Sequence, residues 1–227
     1  MSPTQSFYLY LCAGIVAFTC VAYELLLGSY ATFLMGASVF QYSLVISLMM
    51  LSMGIGAFLA KPLSKNHFET FLAVETLLSW SAILAVPLMY LSFSLNYAPT
   101  KVLIFFVLIM GSGIGMEIPL LSGLNRSQQS LTQILFSDYL GGFLGGILFP
   151  IILFPYFGFF QIAAGLGLLN GIIGLSFFWS FRNNLHRRHT LWGILTGITV
   201  IACLAETIFA EKLRIEMESY FFAISKN

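Results

Sequence analysis

The sequence predicts an all-α fold, a polytopic integral membrane bundle of seven transmembrane helices. Two observations carry this expectation. Hydrophobic residues make up 59% of the chain and charged residues only 8%, with a mean hydropathy of +0.92, whereas a soluble domain carries about 25% charged residues. The apolar residues also fall in long runs, close to the roughly 20 residues a helix needs to cross a bilayer. A net charge of +1 provides no basic field for nucleic acid.

The first span is read over residues 7–30, with a soft boundary because apolar sequence continues through Met35. Met1–Ser6 contains no Lys or Arg and no cleavage site follows, so this segment is expected to be retained. The next spans are 40–60, 69–94 and 101–121. Residues 122–135, with Asn125, Arg126, Gln128, Gln129 and Gln133, read as a polar surface segment. The fifth span is 136–156, where Pro150 and Pro155 each remove a backbone donor and are placed to break the helix. The sixth and seventh are 160–181 and 190–210. Trp179 and Trp192 flank the loop holding Arg182, His186, Arg187, Arg188 and His189, as an interfacial belt does. Residues 1–210 form the membrane domain. Residues 211–227 mix Glu211, Lys212, Arg214, Glu216 and Glu218 with Leu213, Ile215, Met217 and Phe221, the pattern of an amphipathic surface helix or a linker.

Small residues mark where helices should approach. Gly111 with Gly115, Gly141 with Gly145, Gly142 with Gly146, and Gly167 with Gly171 are each four apart, so each pair shares a helical face. With seven spans the termini lie on opposite sides. Lys61, Lys65, Arg126, Arg182, Arg187 and Arg188 collect on the N-terminal side, against Lys101 in the loops of the other. The positive-inside rule then places the N-terminus in the cytoplasm, in a bacterial inner membrane. A re-entrant fifth span would reverse the parity.

The acids are the most informative residues. Glu24, Glu75, Glu117, Asp138 and Glu206 lie in or at the ends of apolar stretches, with no Lys or Arg among them. On insertion scales an acid at a helix centre costs about +2.5 to +3.5 kcal/mol. Such a group is neutral, faces a polar cavity, or meets a cation. Glu24 sits inside span one and is read either as a hydrogen-bonded core acid or as a functional one. Glu117 ends span four before Ile118–Pro119, and Asp138 opens span five, where it either points into the bundle with the glycine stripe or caps the helix. Glu75, near Lys65 in sequence, reads as a paired or snorkelling structural acid, and Glu206 as an interfacial one. A carboxyl cluster can exchange protons or hold a polyamine-like cation, with Tyr23, Tyr30 and Tyr139 offering aromatic faces.

Cys12, Cys20 and Cys203 lie in apolar runs without metal-ligand spacing, and His67, His186 and His189 all fall in one side's loops. No HExxH or GxSxG motif occurs. No catalytic constellation, metal or cofactor is therefore expected within this chain.

The motifs Tyr23-Glu24-Leu25-Leu26-Leu27-Gly28 with Phe33-Leu34-Met35-Gly36, Met116-Glu117-Ile118-Pro119-Leu120-Leu121, and Asp138-Tyr139-Leu140-Gly141-Gly142 with Leu148-Phe149-Pro150 resemble the membrane-embedded N-terminal half of bacterial fused spermidine synthase-like proteins. The resemblance covers nearly the whole chain. It implies a polyamine aminopropyltransferase domain beyond the membrane half, on a Rossmann-like fold that binds decarboxylated S-adenosylmethionine. This sequence has no Gly-rich acidic loop after a strand and no βαβ pattern, so that family's catalytic carboxylates have no positions here. The chain is either a membrane domain of a longer protein or a standalone relative.

Three functions follow as expectations. In the first, the unit binds or passes a polyamine-like cation, or anchors a synthase domain or subunit at the lipid bilayer. In the second it is a proton-coupled transporter of another small solute, for which the Gly-Ile-Gly pairs at 54–56 and 113–115 hint at internal repetition. In the third it is a scaffold subunit of a membrane complex, and its acids are structural.

Overall fold

The long apolar runs form rods in the computed structural model, which describes residues 3–63, 67–124, 128–181 and 189–224. The described residues are helical apart from short turns. The helices are α1 (Pro3–Met35), α2 (Ser38–Leu63), α3 (His67–Ser94), α4 (Pro99–Leu124), α5 (Gln128–Leu148), α6 (Phe154–Tyr156), α7 (Phe159–Phe181) and α8 (His189–Ile224). Seven stretches among the described residues are long and apolar enough to cross a membrane. The fifth joins α5, a π-helical segment at Phe149–Leu153 and the single turn α6 into one rod. The basic loop residues Lys65, Arg126, Arg182, Arg187 and Arg188, with His186, lie outside the described residues.

Three sequence expectations change. Most of the segment read as a polar surface loop at 122–135 is helix, because α4 runs to Leu124 and α5 begins at Gln128. Gln is a good helix former, so its polarity did not mark a loop. Pro150 and Pro155 do not break span five. The backbone stays in the right-handed helical region at Leu148 and Phe154, and the Phe154 N–H reaches back to the Phe149 carbonyl. The wider π turn takes up the missing proline donor, a usual site for such a bulge. The rod therefore gives no support to a re-entrant fifth span. Finally, α8 continues unbroken past residue 210 to Ile224.

The turn from α1 to α2 needs only Gly36 and Ala37, both at positive φ (71° and 50°). Glycine adopts that region freely and stops the helix there. Gly36 N–H donates to the Thr32 carbonyl at 2.9 Å.

Four rods make the core and three lie against it. The spans of α1, α3, α4 and α7 are half or more buried, up to 67% for α3, while those of α2, α5 and α8 are mostly exposed, with 17% buried in the fifth. α2 lies on α4, α1 on α5, and α3 against α4, α7 and α8, whereas α4 and α5 barely touch. Close approach explains the two tightest pairs. A Cβ on Gly56, Gly111 or Gly115 would collide with the Ser112 carbonyl, the Ser52 hydroxyl or the Met53 carbonyl. On the other seam, a Cβ on Gly141 would collide with the Gly14 carbonyl, and one on Gly145 would lie 2.6 Å from the Phe18 carbonyl. Gly142 and Gly146 do not share this role. They meet only Val21 methyl groups, at 3.4 and 3.8 Å.

Candidate functional site

Because α1 is glued to α5 and α2 to α4, while α4 and α5 scarcely meet, a cleft opens between the two pairs. It has a volume of about 510 Å³. Ala17, Cys20 and Val21 of α1 form its back, Ile114, Gly115, Ile118 and Pro119 of α4 one wall, and Asp138, Tyr139, Gly142 and Phe143 of α5 the other. Apolar side chains dominate this lining. Asp138 is partly buried in the cleft wall, and Tyr139 stands 74% exposed at its mouth.

Glu24 is one turn beyond Cys20 on the α1 stripe that backs the cleft, and it is partly buried. The Gly14 contact with Ser137 fixes the register of α1 on α5. Ten residues separate Gly14 from Glu24, so at the helical rise Glu24 stands about 15 Å further along the bundle than Asp138.

Glu117 lies behind the cleft wall, 1% exposed, and Glu75 faces it from α3, wholly buried. Neither carboxylate has a hydrogen-bond partner. Glu117 is within electrostatic reach of Glu75 and of Asp138, and among the described residues no cation acts on it. The three acids share a depth. Glu75 is 8 residues from the start of α3 at His67, Glu117 is 7 from the end of α4 at Leu124, and Asp138 is 10 from the start of α5 at Gln128. All three termini are at the same end of the bundle. The result is an acidic layer running from cleft to core.

Tyr23, one residue before Glu24 on α1, stands further along the bundle than this layer. It is 0% exposed, its hydroxyl is unpartnered, and it lies within electrostatic reach of Glu75 and Glu117. Buried polar atoms are nearly always hydrogen-bonded, so Glu75 and Glu117, both unpartnered at one depth, mark a place where something else can supply the partner. Tyr30 is placed elsewhere, its ring 4.9 Å from Phe159 in an aromatic cluster further along α1. Glu206 lies on α8, partly buried and one turn past Cys203, away from the cleft.

The structure thus corrects the weight given to Glu75. Its neighbour in sequence, Lys65, which suggested a structural ion pair, lies outside the described residues, and among the described residues the Glu75 carboxylate is unpartnered and within electrostatic reach of Glu117. The signal was available. α3 and α4 are antiparallel neighbours, and counting residues from their shared end puts both acids at equal depth. Among the described residues no group of His, Cys, Asp and Glu has the arrangement of a metal site.

Chemically, an apolar cleft with an acid in its wall and further acids behind and beyond it suits a ligand with an apolar chain and cationic ends. The acid attracts the charge, the walls take the methylene groups, and Tyr139 can place its ring face against an ammonium.

Over most of its length the chain is similar to proteins named polyamine aminopropyltransferase. It is 30% identical to the one from Oceanobacillus iheyensis, across 96% of this chain and 44% of that protein. It is 31% identical to polyamine aminopropyltransferase 1 of Streptomyces coelicolor, across 92% of this chain and 42% of the relative. It is 32% identical to the Leptospira interrogans protein of the same name, across 75% of this chain and 35% of that one. The chain therefore spans less than half the length of these curated relatives. No family model matches it, and no solved structure matches it.

Proposed function

We propose that this seven-helix unit is the membrane domain of a spermidine synthase-like protein and that it binds or passes a polyamine-like cation at the cleft between α1, α2, α4 and α5. The observation that carries this reading is the acidic layer of Asp138, Glu117 and Glu75, which begins in the wall of an apolar cleft and meets no cation among the described residues. The names of the relatives support the ligand class. So does the spacing of about 15 Å between the levels of Glu24 and Asp138, which an extended linear polyamine can approach. Held in the lipid bilayer, the same unit would anchor a synthase domain or subunit beside the site.

Calorimetric titration of spermidine into purified protein tests the reading. Glu24→Gln, Glu117→Gln and Asp138→Asn are each expected to weaken binding, by about tenfold or 1.4 kcal/mol for Asp138. No binding to the unaltered chain, or unchanged affinity in all three variants, would remove the cation site.

We place the chain in a bacterial inner membrane with its N-terminus in the cytoplasm, on the loop charges. Cys12, Cys20 and Cys203 are buried, so an introduced cysteine should report its side cleanly. In intact cells Tyr97→Cys is expected to react with a membrane-impermeant maleimide and Leu63→Cys is not. The opposite pattern would invert the topology.

A further inference from the structure

Proton exchange is the other chemistry open to buried acids, and Glu75 and Glu117 meet its requirements apart from the cleft. Both are fully enclosed, both carboxylates lack hydrogen-bond partners, and each is within electrostatic reach of the other. Two like charges within electrostatic reach of each other in a dry core cannot both persist without a counter-charge. The fully buried hydroxyl of Tyr23 is also unpartnered and lies within electrostatic reach of both acids.

Among the described residues the surroundings contain nothing basic to take that role. α1 brings Tyr8, Cys12, Cys20, Tyr23 and Glu24, and the Tyr8 hydroxyl is already engaged with Ser176. α5 brings Asp138 and α8 brings Cys203. α7 has no titratable residue, and the charges of α2 and of the first turn of α3 are Lys61, His67 and Glu69, near the bundle end. Gly174 of α7 presses on Glu75, where an added Cβ would lie 3.3 Å from the Glu75 Cβ. The packing closes the site to a solute while leaving room for a proton.

We infer that Glu75 and Glu117 hold one exchangeable proton as a pair, and that this proton is released when a cation settles at Asp138. On release an O–H bond of the pair breaks and the proton passes to solvent. The pair gains one negative charge as the ammonium brings one positive charge to the layer, so net charge is conserved. The coupling step rests on the proposed cation site, whereas the proton pair does not.

The two are separated by two measurements. In infrared spectra of the purified chain taken across pH, a carboxylic-acid C=O band sensitive to deuterium exchange is expected to titrate, and to shift in frequency and midpoint in Glu75→Gln and in Glu117→Gln alike. A band that either substitution leaves unmoved overturns the pair. Should those variants fail to fold, Tyr23→Phe is expected to shift the same band, and an unshifted band overturns it equally. Spermidine titrations in buffers of different ionisation enthalpy then read the coupling. About one proton released per spermidine bound, lost in Glu75→Gln, supports exchange, and binding without proton release overturns it. Absence of spermidine binding with the infrared band intact overturns the cation site and the coupling while the pair stands.

Discussion

Gly56→Ala is expected to destabilise the bundle by about 3 kcal/mol, the upper end of what overpacking costs, while Gly54→Ala two residues away leaves it unharmed. The two glycines look equivalent in the run Gly54-Ile55-Gly56. They face opposite ways. A methyl group on Gly56 would strike the Ser112 carbonyl on α4, with the Ser112 Cα 2.9 Å away, whereas nothing lies within 4 Å of a Cβ on Gly54. The obstacle at Gly56 is backbone, so no rotamer change relieves it, and α2 must lift from α4 along the whole seam. At Gly54 the substitution only removes glycine's helix penalty, a gain of up to about 1 kcal/mol. Unfolding followed by tryptophan fluorescence in a mixed detergent series measures both. Equal stability of the two variants would mean that α2 and α4 do not approach as closely as the structure has them.

Gly142→Leu is expected to abolish spermidine binding while leaving the unfolding transition within about 0.5 kcal/mol of the unaltered chain. Gly142 lines the cleft, and its only near neighbour is a Val21 methyl at 3.4 Å, an ordinary contact. A leucine there has space to fold but projects into the space the ligand would use. Gly141→Leu makes the contrast, because a side chain at that position meets the Gly14 backbone and separates α5 from α1. Loss of binding in Gly142→Leu with an intact fold would locate the ligand in the cleft. Retained binding would place it elsewhere.

The rods themselves were legible because apolar runs of membrane length admit few alternatives in lipid, where backbone groups must be satisfied within the segment. Their ends were less so. Gln128, Gln129 and Gln133 signalled water, and they stand in a helix that begins earlier than the apolar pattern. Pro150 signalled a break, which a π turn absorbs. Spacing of four showed that Gly141 with Gly145 and Gly142 with Gly146 each share a face, but not which face meets a helix, since that depends on the partner's rotation. For the site, Glu117 and Asp138 were visible as acids near one membrane face. Glu75 was read through Lys65, which lies outside the described residues, and Tyr30 was grouped with the acids because residue type carries no direction. Tyr139 stands at the cleft mouth, and Tyr30 lies in another part of the core.

The most direct measurement is a double-mutant cycle on spermidine affinity with Glu117→Gln, Asp138→Asn and the pair together. If the buried acid and the cleft acid belong to one layer, their effects are not independent, and the double variant is expected to bind little more weakly than Asp138→Asn alone, with an interaction energy of about 0.5 kcal/mol or more. Losses that simply add, or a Glu117→Gln variant that binds as the unaltered chain does, would show that the acids act apart and that no shared site exists.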